Sequence, residues 1–338
     1  MESLAVSVVI PTHNRAGLVA RAVESALLNL RPGDELIIVD DGSDDDTPAC
    51  LATYSDSIRL ARIPHRGAGA ARNHGIALAT RPLVAFLDSD DIWVKDKVEL
   101  QRALMERRPE VLFCFSDFTA RDPGRDTPHF LVHWHKDNRS WDQILGPGER
   151  YSGIAPLPPG REDFDVHVGD LYLAEMQRDF VPTFTMMARR DAGAALHFAE
   201  DVPTFEDWEC FARLAGTGKA AFLACDTAWQ CSDADSRLTD ADTISRASSR
   251  LRILDRVWGA DPSFMARHRT EFSEVRQRYL RQRGMARLAR GEAREARSDF
   301  RQCRGVPIDH RVAAALPDLL LRGALGLRRK LVRRGEPV

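Results

Sequence analysis

The first 118 residues switch repeatedly between two periods, and that alternation limits the possible folds more than any other feature of the chain. Short β-branched runs at 6–10, 36–39, 57–63, 83–87 and 111–115 predict buried strands. Stretches rich in Ala, Leu, Arg and Glu near 15–29, 45–54, 68–79 and 94–107 predict helices between them. Parallel strands joined by helices need crossover connections, so the expected class is α/β, with a mostly parallel, Rossmann-like sheet flanked by helices. Ligands of such sheets sit beyond the carboxyl ends of the strands, so those ends are where chemistry is sought.

The rest of the chain divides by composition. Residues 119–162 are dominated by Pro, Gly, Asp and Arg and predict a long surface excursion or lid. A strand-like TFTMMA follows, then a helix over 205–215 and two short strands at 220–224 and 227–230. From about 243 the chain is helical and Arg-rich. Residues 264–334 hold 19 Lys and Arg against 7 Asp and Glu, so a basic extension follows an acidic body. The expected division is therefore between a body of residues 1–240 and a helical basic extension of 241–338.

A whole-chain net charge of −2 gives no sign of nucleic-acid binding, and the Arg-rich region has almost no interleaved aromatics for base stacking. The six cysteines form no CxxC pair, no apolar run reaches the length of a spanning helix, and the first residues lack a signal-peptide pattern. The location expected from these features is cytoplasmic. Leu316, Leu320, Ala324, Leu327 and Leu331 recur at helical spacing, with Arg322, Arg328, Arg329 and Lys330 crowding the other face and the end. That is the pattern of an in-plane helix on an anionic membrane, or of a helix packed on the acidic body.

The strand ends are polar. The first carries Pro11, Thr12, His13, Asn14 and Arg15; the second carries Asp40, Asp41, Gly42, Ser43 and three further aspartates. The third leads into His65-Arg66-Gly67-Ala68-Gly69-Ala70-Ala71-Arg72-Asn73, and the fourth ends in Asp88-Ser89-Asp90-Asp91. Either acidic run can be a turn with a helix cap. Three carboxylates within four residues repel one another without a cation, however, and clustered carboxylate oxygens suit Mg2+ or Mn2+.

In order, SVVIPTHNR, IIVDDGSDDDT, GAGAARNHGI, VAFLDSDDIW and the later FEDWE with Arg213 resemble the family 2 glycosyltransferases of the GT-A fold. The resemblance spans roughly residues 4–240. It implies an inverting glycosyltransferase that uses a nucleotide-diphospho-sugar, with a UDP-sugar expected, a divalent Mn2+ or Mg2+, and a glycan or lipid-linked acceptor. By position, Pro11, Thr12, Asn14, Asp41, Arg72 and Asp88 would bind the nucleotide, with Asp41 receiving a pyrimidine N–H. Asp90, Asp88 and Asp91 would hold the metal. Asp207 would deprotonate the acceptor hydroxyl, with Glu206 the second candidate. Residues 1–118 would form the donor half and 119–240 the acceptor and base half, in surface polysaccharide or glycolipid synthesis, with the enzyme peripheral on the inner membrane face.

The chain departs from the family in two places. The stretch 229–235 (WQCSDAD) lacks the histidine many relatives carry after the base-bearing helix, leaving Asp233 or Asp235 as stand-ins. The Gln-x-x-Arg-Trp signature of processive synthases is also absent, which favours single additions. His129, His133 and His135 have a zinc-like spacing but fall in the expected loop, where ligand geometry is not preset. The alternative reading is a catalytically idle nucleotide- or glycan-binding module on the same fold.

Overall fold

The computed structural model describes residues 4–231, 242–305, 312, 314 and 315. The chain forms two compact units, one of residues 1–201 and 206–237 and one of residues 202–205 and 238–338.

In the first unit, β1 (Val6–Thr12), α1 (Val19–Leu27), β2 (Glu35–Asp40), α2 (Thr47–Ala52), β3 (Arg59–Arg62), α3 (Ala68–Leu78) and β4 (Leu83–Phe86) alternate as expected. Next come β5 (Ile92–Trp93), α4 (Lys97–Arg107), β6 (Val111–Asp122) and β7 (Arg125–Thr127). The chain then runs through α5 (Leu131–His135), α6 (Trp141–Ile144), β8 (Glu149–Arg150), α7 (Tyr151–Ile154), β9 (Asp165–Gly169) and α8 (Tyr172–Gln177). It ends in β10 (Met187–Arg189), α9 (Glu206–Thr217) and β11 (Lys219–Cys231).

The sheet order is β3-β2-β1-β4-β10-β6-β11-β9-β8. The β3-β2-β1-β4 side and the β6–β11 pair are parallel, and β10 runs antiparallel between them. β1 reads as an unbroken apolar run because both its faces are covered, and all seven of its residues are buried. Its register puts Thr12 opposite Asp40, so the first two strand ends meet.

The reading of 119–162 as a surface excursion is overturned. β6 runs on to Asp122 and turns into β7, and Leu131, Ile144, Tyr151 and Ile154 lie in the core. Pro and Gly here punctuate short elements. The two strands expected at 220–230 are one strand, β11, whose pairing with β6 slips between Leu223 and Asp226 and again before Trp229. The short β5, which pairs with β11, was not foreseen; two residues are too few for a period to show.

Two glycines of the GAGAARNHGI run are needed for close approach. A Cβ on Gly75 would stand 2.3 Å from Val9 Cγ1, so the glycine lets α3 lie on β1. A Cβ on Gly69 would stand 2.7 Å from the Ala199 carbonyl oxygen and 3.3 Å from Glu206 Cγ. Gly69 therefore brings the segment leading to α9 against α3.

The second unit holds α10 (Thr243–Arg256), α11 (Pro262–Arg290) and α12 (Ala293–Arg301). Asp242 and Asp261 accept backbone N–H groups at the starts of α10 and α11. Buried Asp299 of α12 takes Arg283 at 2.7 Å and Arg287 at 2.8 Å from α11, which uses part of the arginine excess internally. Among the described residues no helix is long and apolar enough to cross a membrane. The leucine stripe from 316 to 331, and Asp233 and Asp235, lie outside the described residues.

Candidate active site

Arg72 joins the end of β4 to the start of α9. It projects from α3, is buried, and donates to Asp88 Oδ1 at 2.7 Å and to Glu206 Oε1 at 2.8 Å. Burial alone would lower its pKa; the fields of Asp88, Glu206 and Asp207 outweigh that and raise it. The residue after it acts as a clamp. Asn73 Nδ2 donates to the Phe198 carbonyl at 2.8 Å, and Asn73 Oδ1 accepts the Phe198 N–H at 2.9 Å. Arg66 adds an ion pair with Glu200 at 2.7 Å. Together these contacts hold Phe198, Glu200 and the start of α9 beside the end of β4. The arginine was foreseen as a nucleotide contact; the clamp made by Asn73 was not, because amide pairing leaves no periodic signal.

The two candidate bases differ in surroundings. Glu206 is buried against Arg72, and burial first, then Asp207, raise its pKa. Asp207 is half-buried, with Oδ1 accepting the Trp208 N–H at 2.8 Å and Oδ2 accepting the Thr183 hydroxyl at 2.9 Å. Phe205, just before the helix, has φ of 66°, a left-handed conformation that is uncommon for a bulky residue and turns the chain into α9. Trp208 Nε1 donates to the Glu175 carbonyl at 2.9 Å and so fixes α9 on α8. Glu209 pairs with Arg213 one turn on.

The nucleotide candidates gather at the ends of β1 and β2. Asp41 Oδ1 accepts the Arg66 N–H at 2.8 Å and Oδ2 accepts the Gly67 N–H at 2.7 Å, so this carboxylate shapes the turn into α3. Asn14 exchanges two hydrogen bonds with Asp44, at 2.6 and 2.9 Å, and ties the β1 loop to the β2 loop. Pro11 pairs with Val39 inside the sheet. The Thr12 hydroxyl is buried without a hydrogen-bond partner. His13 and His65 stack with ring centroids 4.0 Å apart, and the Nδ1 of each faces the Asp41 carbonyl.

The three metal candidates share one turn, in which Asp91 N–H donates to the Asp88 carbonyl at 3.1 Å. Asp88 and Asp90 are half-buried, and Asp91 is buried with Oδ1 accepting the Cys231 N–H at 3.1 Å. Their oxygen donors match the chemistry of Mg2+ and Mn2+. Among the described residues a second grouping comes together: Asp117, His129 and Asp226. His129 Nδ1 lies 3.6 Å from Asp117 Oδ2 and 3.4 Å from Asp226 Oδ1. This trio was missed because its members come from β6, the turn after β7, and β11. The three histidines of HFLVHWH diverge: His129 joins that trio, His133 packs on Phe130, and His135 is buried beside Phe180.

Glu175 was also missed. It is fully buried on α8; Oε2 accepts the Phe180 N–H at 3.2 Å, and Oε1 has no partner. Burial, then Asp179, and then Asp207 raise its pKa well above the ordinary 4.5. A raised carboxyl binds more protons folded than unfolded, so its stabilising effect is complete at low pH and declines as pH climbs from 4.5 towards the raised value. Glu175→Gln should therefore melt increasingly above the wild type as pH rises from 5 to 8, read by calorimetry at each pH. A melting-temperature difference that stays flat across that range would contradict the assignment.

Residues 7–153 match the family model described as Glycosyl transferase family 2. The chain is 36% identical over 120 residues to the Escherichia coli UDP-Glc:alpha-D-GlcNAc-diphosphoundecaprenol beta-1,3-glucosyltransferase WfgD, covering 35% of this chain and 47% of that protein. The match covers between 16% and 47% of the length of such curated relatives. In fold, the chain is similar to S. aureus TarS 1–349 in complex with UDP-GlcNAc, with a TM-score of 0.62 at 14% identity, over 98% of this chain and 93% of that one. The mannosyltransferase PcManGT of Pyrobaculum calidifontis, solved with GDP-Man and Mn2+, has a TM-score of 0.51 at 17% identity over 95% and 79% of the two chains. Asp207 lies beyond the matched range, whereas the four strand ends and Arg72 lie within it. The sheet is that of the GT-A fold, and residues 7–153 are a domain of glycosyl transferase family 2.

Proposed function

We propose that the chain is a metal-dependent inverting glycosyltransferase that moves a sugar from a nucleotide-diphospho-sugar to an acceptor hydroxyl. The observation that carries this reading is the Arg72 bridge, which places a half-buried carboxylate, Asp207, beside the acidic end of β4. Asp207 takes the acceptor proton as the acceptor oxygen attacks the anomeric carbon. The bond from that carbon to the diphosphate breaks on the opposite face, and its electron pair leaves with the diphosphate. One base suffices, because inversion needs no covalent sugar intermediate. Glu206 serves Arg72, which leaves the base role to Asp207.

Asp88 and Asp90 would hold the cation, and Asp91 braces the turn through Cys231. When bound, Mn2+ or Mg2+ neutralises charge on the departing diphosphate. Pro11, Thr12, Asn14 and Asp41 shape the nucleotide pocket, and the partnerless Thr12 hydroxyl is a buried group that a ligand atom can satisfy. Arg72 would act on the donor through the Asp88 carboxylate it holds, because its two terminal nitrogens are engaged by Asp88 and Glu206. The donor is read as a UDP-sugar and the acceptor as a lipid-linked glycan of surface polysaccharide synthesis, a reading supported by the names of WfgD and of the TarS complex. Residues 1–118 form the donor half, 119–240 the acceptor and base half, and 241–338 the extension. Two outcomes follow.

Asp207→Asn should reduce transfer at least ~100-fold, in line with loss of a general base, while UDP affinity with Mn2+ changes little. Near-normal turnover would remove Asp207 from the mechanism, and a wild type that binds UDP without any transfer would favour the idle module. The enzyme is further read as cytoplasmic and peripheral on the membrane through its basic tail, where each cation near an anionic surface contributes about 1 kcal/mol. Truncation after Gly305 should release the protein from phosphatidylserine-rich vesicles in a flotation assay. Unchanged flotation would assign the tail to packing.

A further inference from the structure

A cavity of about 530 Å3 opens beside β9, built from the segment first expected to be a loose excursion. Its polar lining includes His135, Arg139, Trp141, Asp142, Asp165 and His167. None of these belongs to the nucleotide, metal or base set.

The two imidazoles are fixed in opposite senses. His135 Nδ1 accepts the Asp137 N–H at 3.0 Å, so in the neutral ring the hydrogen sits on Nε2, a donor. Burial lowers the His135 pKa to about 4, which keeps that ring neutral at physiological pH. His167 Nδ1 lies 3.0 Å from the Gly146 carbonyl and 3.4 Å from Asp142 Oδ1, both acceptors, so Nδ1 carries a hydrogen. Both rings line the cavity with Nδ1 engaged, and His135 keeps a donor at Nε2. Gly148 leaves room for this: a Cβ there would stand 2.7 Å from His167 Cε1.

The remaining groups complete a mixed lining. Trp141 stacks on Phe222 with centroids 3.8 Å apart and meets Phe115 and Phe180 edge-on, so it is a rigid apolar wall. Arg139 is held in a two-pronged pair with Asp137, at 3.0 and 2.7 Å. Asp142 and Asp165 add acceptors. Arg139 is paired with Asp137, Asp165 Oδ1 accepts from Arg150 at 3.1 Å, and Asp142 Oδ1 lies 3.4 Å from His167 Nδ1. The charges of the lining are thus met within the protein, and the space suits a neutral ligand. A neutral polyhydroxyl ring fits such a lining, since each hydroxyl donates and accepts and its C–H face suits an indole. The volume lies within the usual range of small-ligand pockets, about 300–1,000 Å3.

We propose that this cavity is a saccharide-binding site that takes a neutral pyranose unit, separate from the Arg72–Asp88–Asp207 centre. The assignment rests on the lining chemistry alone and does not require the transfer reading. Its position on the 119–240 half suits a distal unit of a glycan chain. Phe180 links the two regions, touching Trp141 on one side and donating its N–H to Glu175 on the other.

The test is binding, without metal or nucleotide, of glucose and of N-acetylglucosamine to the full chain, by saturation-transfer difference NMR and by calorimetry. The expected result is saturable binding of at least one sugar, weakened about fivefold in Asp142→Ala, as for one lost hydrogen bond. Trp141→Phe, which keeps the stack on Phe222, should also weaken it. Saturating UDP with Mn2+ should leave the sugar signal in place. Absence of saturable binding for both sugars, binding that UDP displaces, or binding indifferent to both substitutions in folded protein would each overturn the proposal.

Discussion

The site depends on one buried guanidinium. Arg72 carries two carboxylates from elements far apart in sequence, Asp88 after β4 and Glu206 at the start of α9. Removing one partner of such a buried pair typically costs about 3–5 kcal/mol, because the remaining charge stays desolvated. Here the loss would also separate the two halves of the site, since Asp207 follows Glu206 in the same helical turn. The small residues of α3 serve the same end. Gly75 seats the helix on β1, and Gly69 admits the Ala199 carbonyl, so Arg72 reaches both acids from one position.

Carboxylate crowding around Asp207 is held by graded burial rather than by direct cancellation. Glu206 has an arginine, whereas Glu175 has one N–H and an orphaned oxygen deep in the core. Burial and acidic neighbours hold the Glu175 carboxyl well above its ordinary range, while Asp207 accepts from the Thr183 hydroxyl and the Trp208 N–H.

Periodicity made the first 118 residues of the fold legible. Runs such as Val6–Ile10 are apolar on both faces because parallel strands are covered on both faces, so strand and helix separate cleanly. The acidic strand ends and the EDW element were visible as clusters of one residue type. Residues 119–162 were misread because Pro and Gly there sit between elements of two to five residues, too short to show a period. Asn73, Glu175 and the Asp117–His129–Asp226 trio were invisible for another reason. Their roles arise from contacts between elements distant in sequence, and nothing local distinguishes a clamp or a buried acid from a surface one.

The central claim is that Arg72 and the acids after β4 form a metal-assisted nucleoside-diphosphate site. Thermal-shift titration with UDP, GDP, dTDP and ADP, each with and without Mn2+, tests it most directly, because ligands of the folded state raise the melting temperature. The account predicts a shift with UDP that needs Mn2+ and disappears in Asp90→Ala. No shift with any of the four nucleotides, or a UDP shift indifferent to both Mn2+ and Asp90, would contradict it.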